Sequence, residues 1–179
     1  KMFTTLSIVE EMKKAGYSAE FKATGQTGVM IVGNGICIDA VVADFISGGI
    51  EELSPDNVDD HWDIIEGQGS LYNPAFAGVS LGLLHGAQAD IIVMCHEANR
   101  PHIKGLPHMP IPEIADCIEL NLKHARLTNP NAKLGGISLN CRTVSAEEGA
   151  KQRAALQEEF GVPCFDPMVT GTASFVEAL

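Results

Sequence analysis

With 179 residues, 45% of them apolar and 20% charged, the chain has the balance of one compact globular domain and excludes disordered, collagen-like and coiled-coil readings. Twelve Lys and Arg against 23 Asp and Glu leave a formal net charge of −11. That field repels polyanions and argues against nucleic acid or an anionic membrane as partner, though a few local donors can still hold a small anion such as a nucleotide phosphate.

In chain order, Leu6, Ile8, Val9 and Met12 give a helical face up to Ala15, ended by Gly16, and Ala19 to Ala23 reads as a short strand. From Ile38 to Leu53, Val41, Val42, Phe45, Ile46 and Ile50 recur at three- and four-residue spacing, which predicts one amphipathic helix closed by Ser54-Pro55-Asp56. Trp62 to Ile65 is a short buried strand, Val79 to Leu84 a helix and Ile91 to Cys95 a strand. The stretch from Phe76 to Cys95 is apolar but carries Ser80, His85, Gln88 and Asp90, so it is neither a membrane anchor nor a signal peptide. Arg100 to Pro112 reads as a Pro- and His-rich loop, Glu113 to Leu127 as a long helix and Leu134 to Leu139 as a strand. Ser145 with Glu148 three residues on is a capping box that opens a helix to Phe160; a strand at Val162 to Phe165 and a helix from Thr172 complete the chain.

Strands separated by helical crossovers specify an α/β fold with a doubly wound, mainly parallel sheet. In such sheets ligands sit beyond the carboxyl ends of the strands, which ranks four segments: Thr24-Gly25-Gln26-Thr27-Gly28, Glu66-Gly67-Gln68-Gly69-Ser70, His96-Glu97 and Asn140. The first is suited to turning backbone N–H groups towards an anion or an acyl oxygen. Lys1 with Thr4 or Thr5 at a helix start matches the last part of a nucleotide-binding P-loop, and since such folds usually begin with a strand, the first strand and Gly-rich loop are expected to precede Lys1. Arg100 beside His96, Glu97 and His102 suits bidentate binding of a carboxylate. No metal centre is expected, because HEAxxxH does not place two His on one helical face and Pro101 breaks any helix. Asp44, amid Val42, Ala43 and Phe45, is expected to be partly buried. The five cysteines, Cys37, Cys95, Cys117, Cys141 and Cys164, form no CxxC pair, and a reducing, cytoplasmic setting follows.

The motifs ATGQTG at 23–28, IDAVVADF at 38–45, WDIIEGQGSL at 62–71, PAFAGVSLGLLHG at 74–86 and CHE at 95–97 resemble those of the D-glutamate N-acetyltransferase family, in its C-terminal P-loop domain. The resemblance covers essentially the whole chain and implies a P-loop fold like that of dethiobiotin synthetase, a further N-terminal domain, and a Gly-rich loop just before Lys1. It implies acetyl transfer from acetyl-CoA to the amine of an amino acid, D-glutamate, in D-amino-acid catabolism. A carboxylate base works best with its pKa raised towards neutrality, and on this reading Glu66 is that base, with Gln68 and Asp44 as further catalytic candidates. The amides of Thr24 to Gly28 or the Gln68 side chain would stabilise the oxyanion. Lys1, Thr4, Thr5, Thr24, Gly25, Gln26, Thr27, Gly28 and Asn140 would hold the CoA, and Gly67, Gly69, Ser70, His96, Glu97, Arg100 and His102 the amino acid. Met2-Phe3 between Lys1 and the first Thr departs from the standard P-loop and weakens the case for magnesium–ATP. The alternatives are an ATP-dependent ligase or kinase of the dethiobiotin-synthetase type, or a nucleotide-sensing domain. A homo-oligomer is expected.

Overall fold

Ile8, Val9 and Met12 bury one face of α1 (Met2–Lys14), and Gly16, at φ +92°, turns the chain into β1 (Ser18–Lys22). The computed structural model describes residues 1–179. Ala19 and Phe21 of β1 point inward onto α1 by strand alternation. The Gly-containing segment that follows is not only a loop: Gly25 takes extended backbone as an N-cap, and Gln26–Val32 is a short helix, α2, stopped by left-handed Gly33 at φ +76°.

The single helix expected over 38–53 is broken. Ile38–Ala40 and Ala43–Phe45 are 3₁₀ turns, and only Ile46–Leu53, α3, is α-helical. Val41 and Val42, both β-branched, take extended backbone with ψ of 140° and 136°, the conformation such side chains prefer. The Ile38 N–H is also committed to the Thr24 carbonyl, at 3.0 Å. The apolar spacing that suggested one helix combines a buried Ile38 with exposed Val42 and Phe45.

After β2 (His61–Ile65) come α4 (Ala77–Ala87), β3 (Ile91–Glu97), α5 (Ile114–Ala125), β6 (Lys133–Asn140), α6 (Ala146–Phe160), β7 (Cys164–Phe165) and α7 (Ala173–Val176). The Pro- and His-rich stretch between β3 and α5 is a small antiparallel hairpin, β4 (His102–Ile103) and β5 (Leu106–Pro110), whose turn is set by Gly105 at φ +83°. At α6 the Ser145 hydroxyl accepts the Glu148 N–H at 3.1 Å, as the capping-box spacing predicts.

The parallel strands form two groups. β1 pairs with β2, and β3, β6 and β7 pair in that order. The free edges of β2 and β3 border a groove of about 1390 Å³, with Thr4, Ile8 and Met12 of α1 on one side and Leu83 and Leu84 of α4 on the other. Every residue of β2 and of β3 is only half-buried, as strands with one empty flank must be. Both groups run the same way across the groove. Lys1 lies against Gly67, just past β2, and the Thr4 hydroxyl meets that of Ser138, near the end of β6, at 2.9 Å. The carboxyl ends of both groups therefore meet the amino end of α1.

α3 and α4 pack closely because Gly82 and Gly86 face Ile46 and Ser47; a Cβ on Gly86 would lie 2.8 Å from the Ser47 Cα. Gly86→Ala should push the two helices apart and cost about 1–3 kcal/mol in urea unfolding, whereas Gly78→Ala on the same helix, which meets nothing, should be neutral or stabilising.

Candidate functional site

Glu66 is the first residue past β2 and is only 8% exposed. Its Oε2 accepts the N–H groups of Thr24 and Gly25, both at 3.2 Å, while the Thr24 hydroxyl donates to the Glu66 carbonyl at 2.7 Å. The Gln68 amide donates to the Thr24 carbonyl at 3.0 Å and to its hydroxyl at 2.9 Å. These bonds weld the loop after β1 to the loop after β2. They also give the carboxylate a structural task beside the role expected from sequence, because Oε2 serves two backbone N–H groups at once. The Thr24 and Gly25 amides and the Gln68 amide hydrogens are occupied, so of the donors expected for an oxyanion only the first-turn N–H groups of Gln26, Thr27 and Gly28 are unpartnered.

Gly28 is what lets α2 approach this carboxylate. A Cβ there would lie 2.5 Å from Glu66 Oε2, 3.1 Å from the Ala23 Cβ and 3.2 Å from the Phe21 ring. Gly28→Ala should therefore displace Glu66 and lower stability by about 1–3 kcal/mol, read as a fall in the chemical-denaturation midpoint.

The groove gathers the other candidates at its carboxyl edge: Lys1, Gly67, Gln68, Gly69, Ser70, His96, Glu97, Arg100 and Asn140 all line it. Glu66, Thr24 and Gly25 sit behind that wall. Asn140 pairs in register with Glu97 and His96 with Leu139. Lys1 is exposed and makes no ion pair, whereas Glu97 is gripped by Arg100 and, at 3.7 Å, by Arg142. Arg100 is thus already engaged with a carboxylate of its own chain.

Burial first, and the Arg100 guanidinium second, hold the His96 imidazole below its usual range, against the pull of Glu97 and Glu113. A histidine whose folded pKa lies below its unfolded value stabilises the fold above the ordinary histidine range, and that contribution is lost as pH falls through the folded value. Stability should therefore drop on acidification from pH about 6.5, and His96→Gln should flatten this part of the denaturation-versus-pH curve.

Other expectations are displaced. Thr4 and Thr5 line the groove; the Thr4 hydroxyl shares a hydrogen bond with that of Ser138, and the Thr5 hydroxyl donates its proton to the Lys1 carbonyl at 3.0 Å rather than to a phosphate. Asp44 is exposed in a 3₁₀ turn, away from the groove lining, because the helix that was to bury it does not form. Gln26 and Thr27 are exposed on the first turn of α2, and His102 lies in the β4–β5 hairpin outside the groove. The cysteines are free, and burial raises the Cys117 and Cys141 thiols and pushes Cys164 up to about 12, unlike nucleophiles.

Two polar centres were missed. Asp166, 1% exposed just past β7, accepts the Cys141 N–H at 2.8 Å and the Met168 N–H at 2.9 Å, and so fixes the loop leaving β6. Its strand-end position was the available signal, hidden by the shortness of β7. Glu20, His61 and Asp63 bring their ligand atoms within 4.8 Å of one another at the groove's other end. Lys22 already pairs with both carboxylates of this cluster, 2.8 Å from Glu20 and 3.4 Å from Asp63.

Residues 1–176 match the sequence profile of a domain of unknown function described as the DUF1611 C-terminal P-loop domain. The chain belongs to this family. The DUF1611 P-loop assignment agrees with the doubly wound α/β architecture. The chain is 54% identical over all its 179 residues to a D-glutamate N-acetyltransferase of a Pseudoalteromonas species and 42% identical, again over 179 residues, to one of Tritonibacter scottomollicae. It spans 54% of the length of each. A crystal structure of a DUF1611 family protein from Anabaena variabilis matches with a TM-score of 0.89 and 34% identity, over 99% of this chain and 52% of that one. No helix is long and apolar enough to cross a membrane.

Proposed function

We propose that this DUF1611 domain is the P-loop part of an N-acetyltransferase that moves the acetyl group of acetyl-CoA to the amine of an amino acid, D-glutamate, in D-amino-acid catabolism. The observation that supports the reading is the likeness of the chain, over all its residues, to two proteins named D-glutamate N-acetyltransferase. The site is chemically suited to it. The reaction forms a bond between the amine nitrogen and the acetyl carbon and breaks the carbon–sulfur bond, so it needs a holder for the CoA diphosphate, donors for the thioester oxygen and a proton acceptor. Lys1, unpaired at the groove rim, is placed to hold the diphosphate. Asn140 and the exposed Ser70, on opposite walls, are the side chains that can donate to the thioester oxygen. With free thiols throughout, a reducing compartment is the natural setting.

We further propose that the groove between β2 and β3 is completed by a parallel strand preceding Lys1, whose loop would bring backbone amides to the same edge. Met2 and Phe3 follow Lys1 where a standard P-loop has Ser or Thr directly after the Lys, which favours CoA over magnesium–ATP. The deciding experiment incubates the protein at its relatives' full length with D-glutamate and either acetyl-CoA or magnesium–ATP, following thiol, ADP and N-acetylglutamate. Thiol release matched by N-acetylglutamate without ADP is expected; ADP without thiol would replace this reading with ligase or kinase chemistry.

A further inference from the structure

At neutral pH an amino acid presents an ammonium group, which cannot attack a thioester until a base with an available lone pair removes a proton. The charged groups and the histidine around the carboxyl edge are Lys1, Glu66, His96, Glu97, Arg100, Lys104, Glu113 and Arg142. Lys1, Arg100, Lys104 and Arg142 are cations. Glu97 is held by Arg100 and Arg142. Glu66 lies behind the groove wall with its carboxylate bonded to two backbone amides. Glu113 lies outside the groove lining, at the N-cap of α5.

His96 remains. It ends β3 one residue before Glu97, lines the groove opposite the Gly67–Ser70 loop, and its ring makes no hydrogen bond within the chain. It extends the β3 face that carries Ile92 and Met94, which pack against the clusters that include α5 residues. The charged groups facing it are Arg100 and Glu97 from its own segment and Glu113 from the start of α5.

We propose that His96 is the catalytic residue that takes the proton from the acceptor's ammonium group, an inference that rests on the N-acetyltransferase reading above. The neutral imidazole takes one proton from the ammonium and passes it to solvent. The amine nitrogen then bonds to the acetyl carbon, the carbon–sulfur bond breaks with its electron pair going to sulfur, and the second proton shed by nitrogen ends on the CoA thiolate. The products are the N-acetyl amino acid, CoA thiol and one solvent proton, so charge and atoms balance without another reactant.

The test compares wild type, His96→Gln and Arg100→Gln at the relatives' full length, measuring thiol release with D-glutamate and acetyl-CoA from pH 5 to 9, with thermal unfolding as a check on folding. His96→Gln should lower kcat/KM by about 10²- to 10⁴-fold, abolish the acid limb of the pH profile and leave the KM for acetyl-CoA unchanged. Arg100→Gln removes a positive neighbour, so its acid limb should move to higher pH. A folded His96→Gln enzyme that keeps the wild-type rate and acid limb overturns the proposal while the acetyltransferase reading stands. If His96→Gln does not fold, an Arg100→Gln limb that stays in place overturns it instead. Wild type that releases no thiol with any amino acid overturns the reading and the proposal together.

Discussion

Glu66→Ala is expected to lower stability by about 3 kcal/mol, a fall in thermal midpoint of about 6–12 °C for a domain of this size. The carboxylate serves the N–H groups of Thr24 and Gly25 at once, and Thr24 is fully buried. An alanine leaves both donors unmatched. Gly25 is half-buried, so its N–H regains water more readily, and the larger share of the loss falls on Thr24. Glu66→Gln keeps one carbonyl oxygen able to take both N–H groups but loses the charge assistance, so it should cost about 1 kcal/mol. Differential scanning fluorimetry of the three proteins gives the order directly. An alanine variant as stable as wild type would remove the structural role. Glu66→Gln is also expected to keep the acid limb of the pH–rate profile that His96→Gln loses. Were Glu66 the base, its glutamine variant would stay folded and lose turnover.

The alternation of periods made the architecture legible because each long element has a single buried face. Ile8, Val9 and Met12 of α1, the Ser145–Glu148 cap of α6 and the apolar run of β3 read the same way in sequence and in space. Reading failed where an apolar pattern did not report burial. In 38–45 the spacing is helical, yet Val42 and Phe45 are 68% and 67% exposed, so no core rewards a continuous helix. In 24–28 the glycines suggested a loop that turns its N–H groups to a ligand, but Gly25 caps α2 and Gly28 serves a close approach to Glu66. That need arises from a contact 38 residues further along the chain, which no local window contains.

The site was legible as a list of strand ends and not as an arrangement. The strand-end rule picked out Gly67 to Ser70, His96, Glu97 and Asn140, which one groove brings together with Lys1 and Arg100. It could not say that Glu66 turns away from that groove onto its neighbour's amides, nor that Glu97 consumes Arg100. Both depend on which partner lies within about 3 Å, a scale at which hydrogen bonds choose and composition is silent. The dispersal of roles follows: the most conspicuous carboxylate in the sequence braces the loops, and a histidine flagged for substrate contact lines the edge with its ring free of hydrogen bonds.

On the proposal that a parallel strand completes the groove, a protein of the relatives' full length is expected to exchange alternate amides in β2 and β3 more slowly than 1–179 by about 100-fold or more, equivalent to about 3 kcal/mol of added protection. β2 and β3 each pair on one side only, their free edges border the same groove of about 1390 Å³, and both run with their carboxyl ends towards Lys1. A strand that leads through a loop into the amino end of α1 would therefore run parallel to both, with its main-chain groups available to each. Only a strand offers N–H and C=O groups on two opposite edges at the strand spacing of about 4.8 Å. An apolar ligand would fill the volume and leave both rows of backbone groups unpaired, at a cost for each group that stays dry. The face of the inserted strand towards α1 would meet Ile8 and Met12, and the other would meet Leu83 and Leu84, so buried apolar residues on both faces are the sequence such a strand requires. Exchange measured on 1–179 alone and on the longer chain distinguishes the two arrangements. Equal exchange at His61–Ile65 and Ile91–Glu97 in the two proteins would show that the groove is not a strand site, whereas protection confined to those two edges would place the added strand between them.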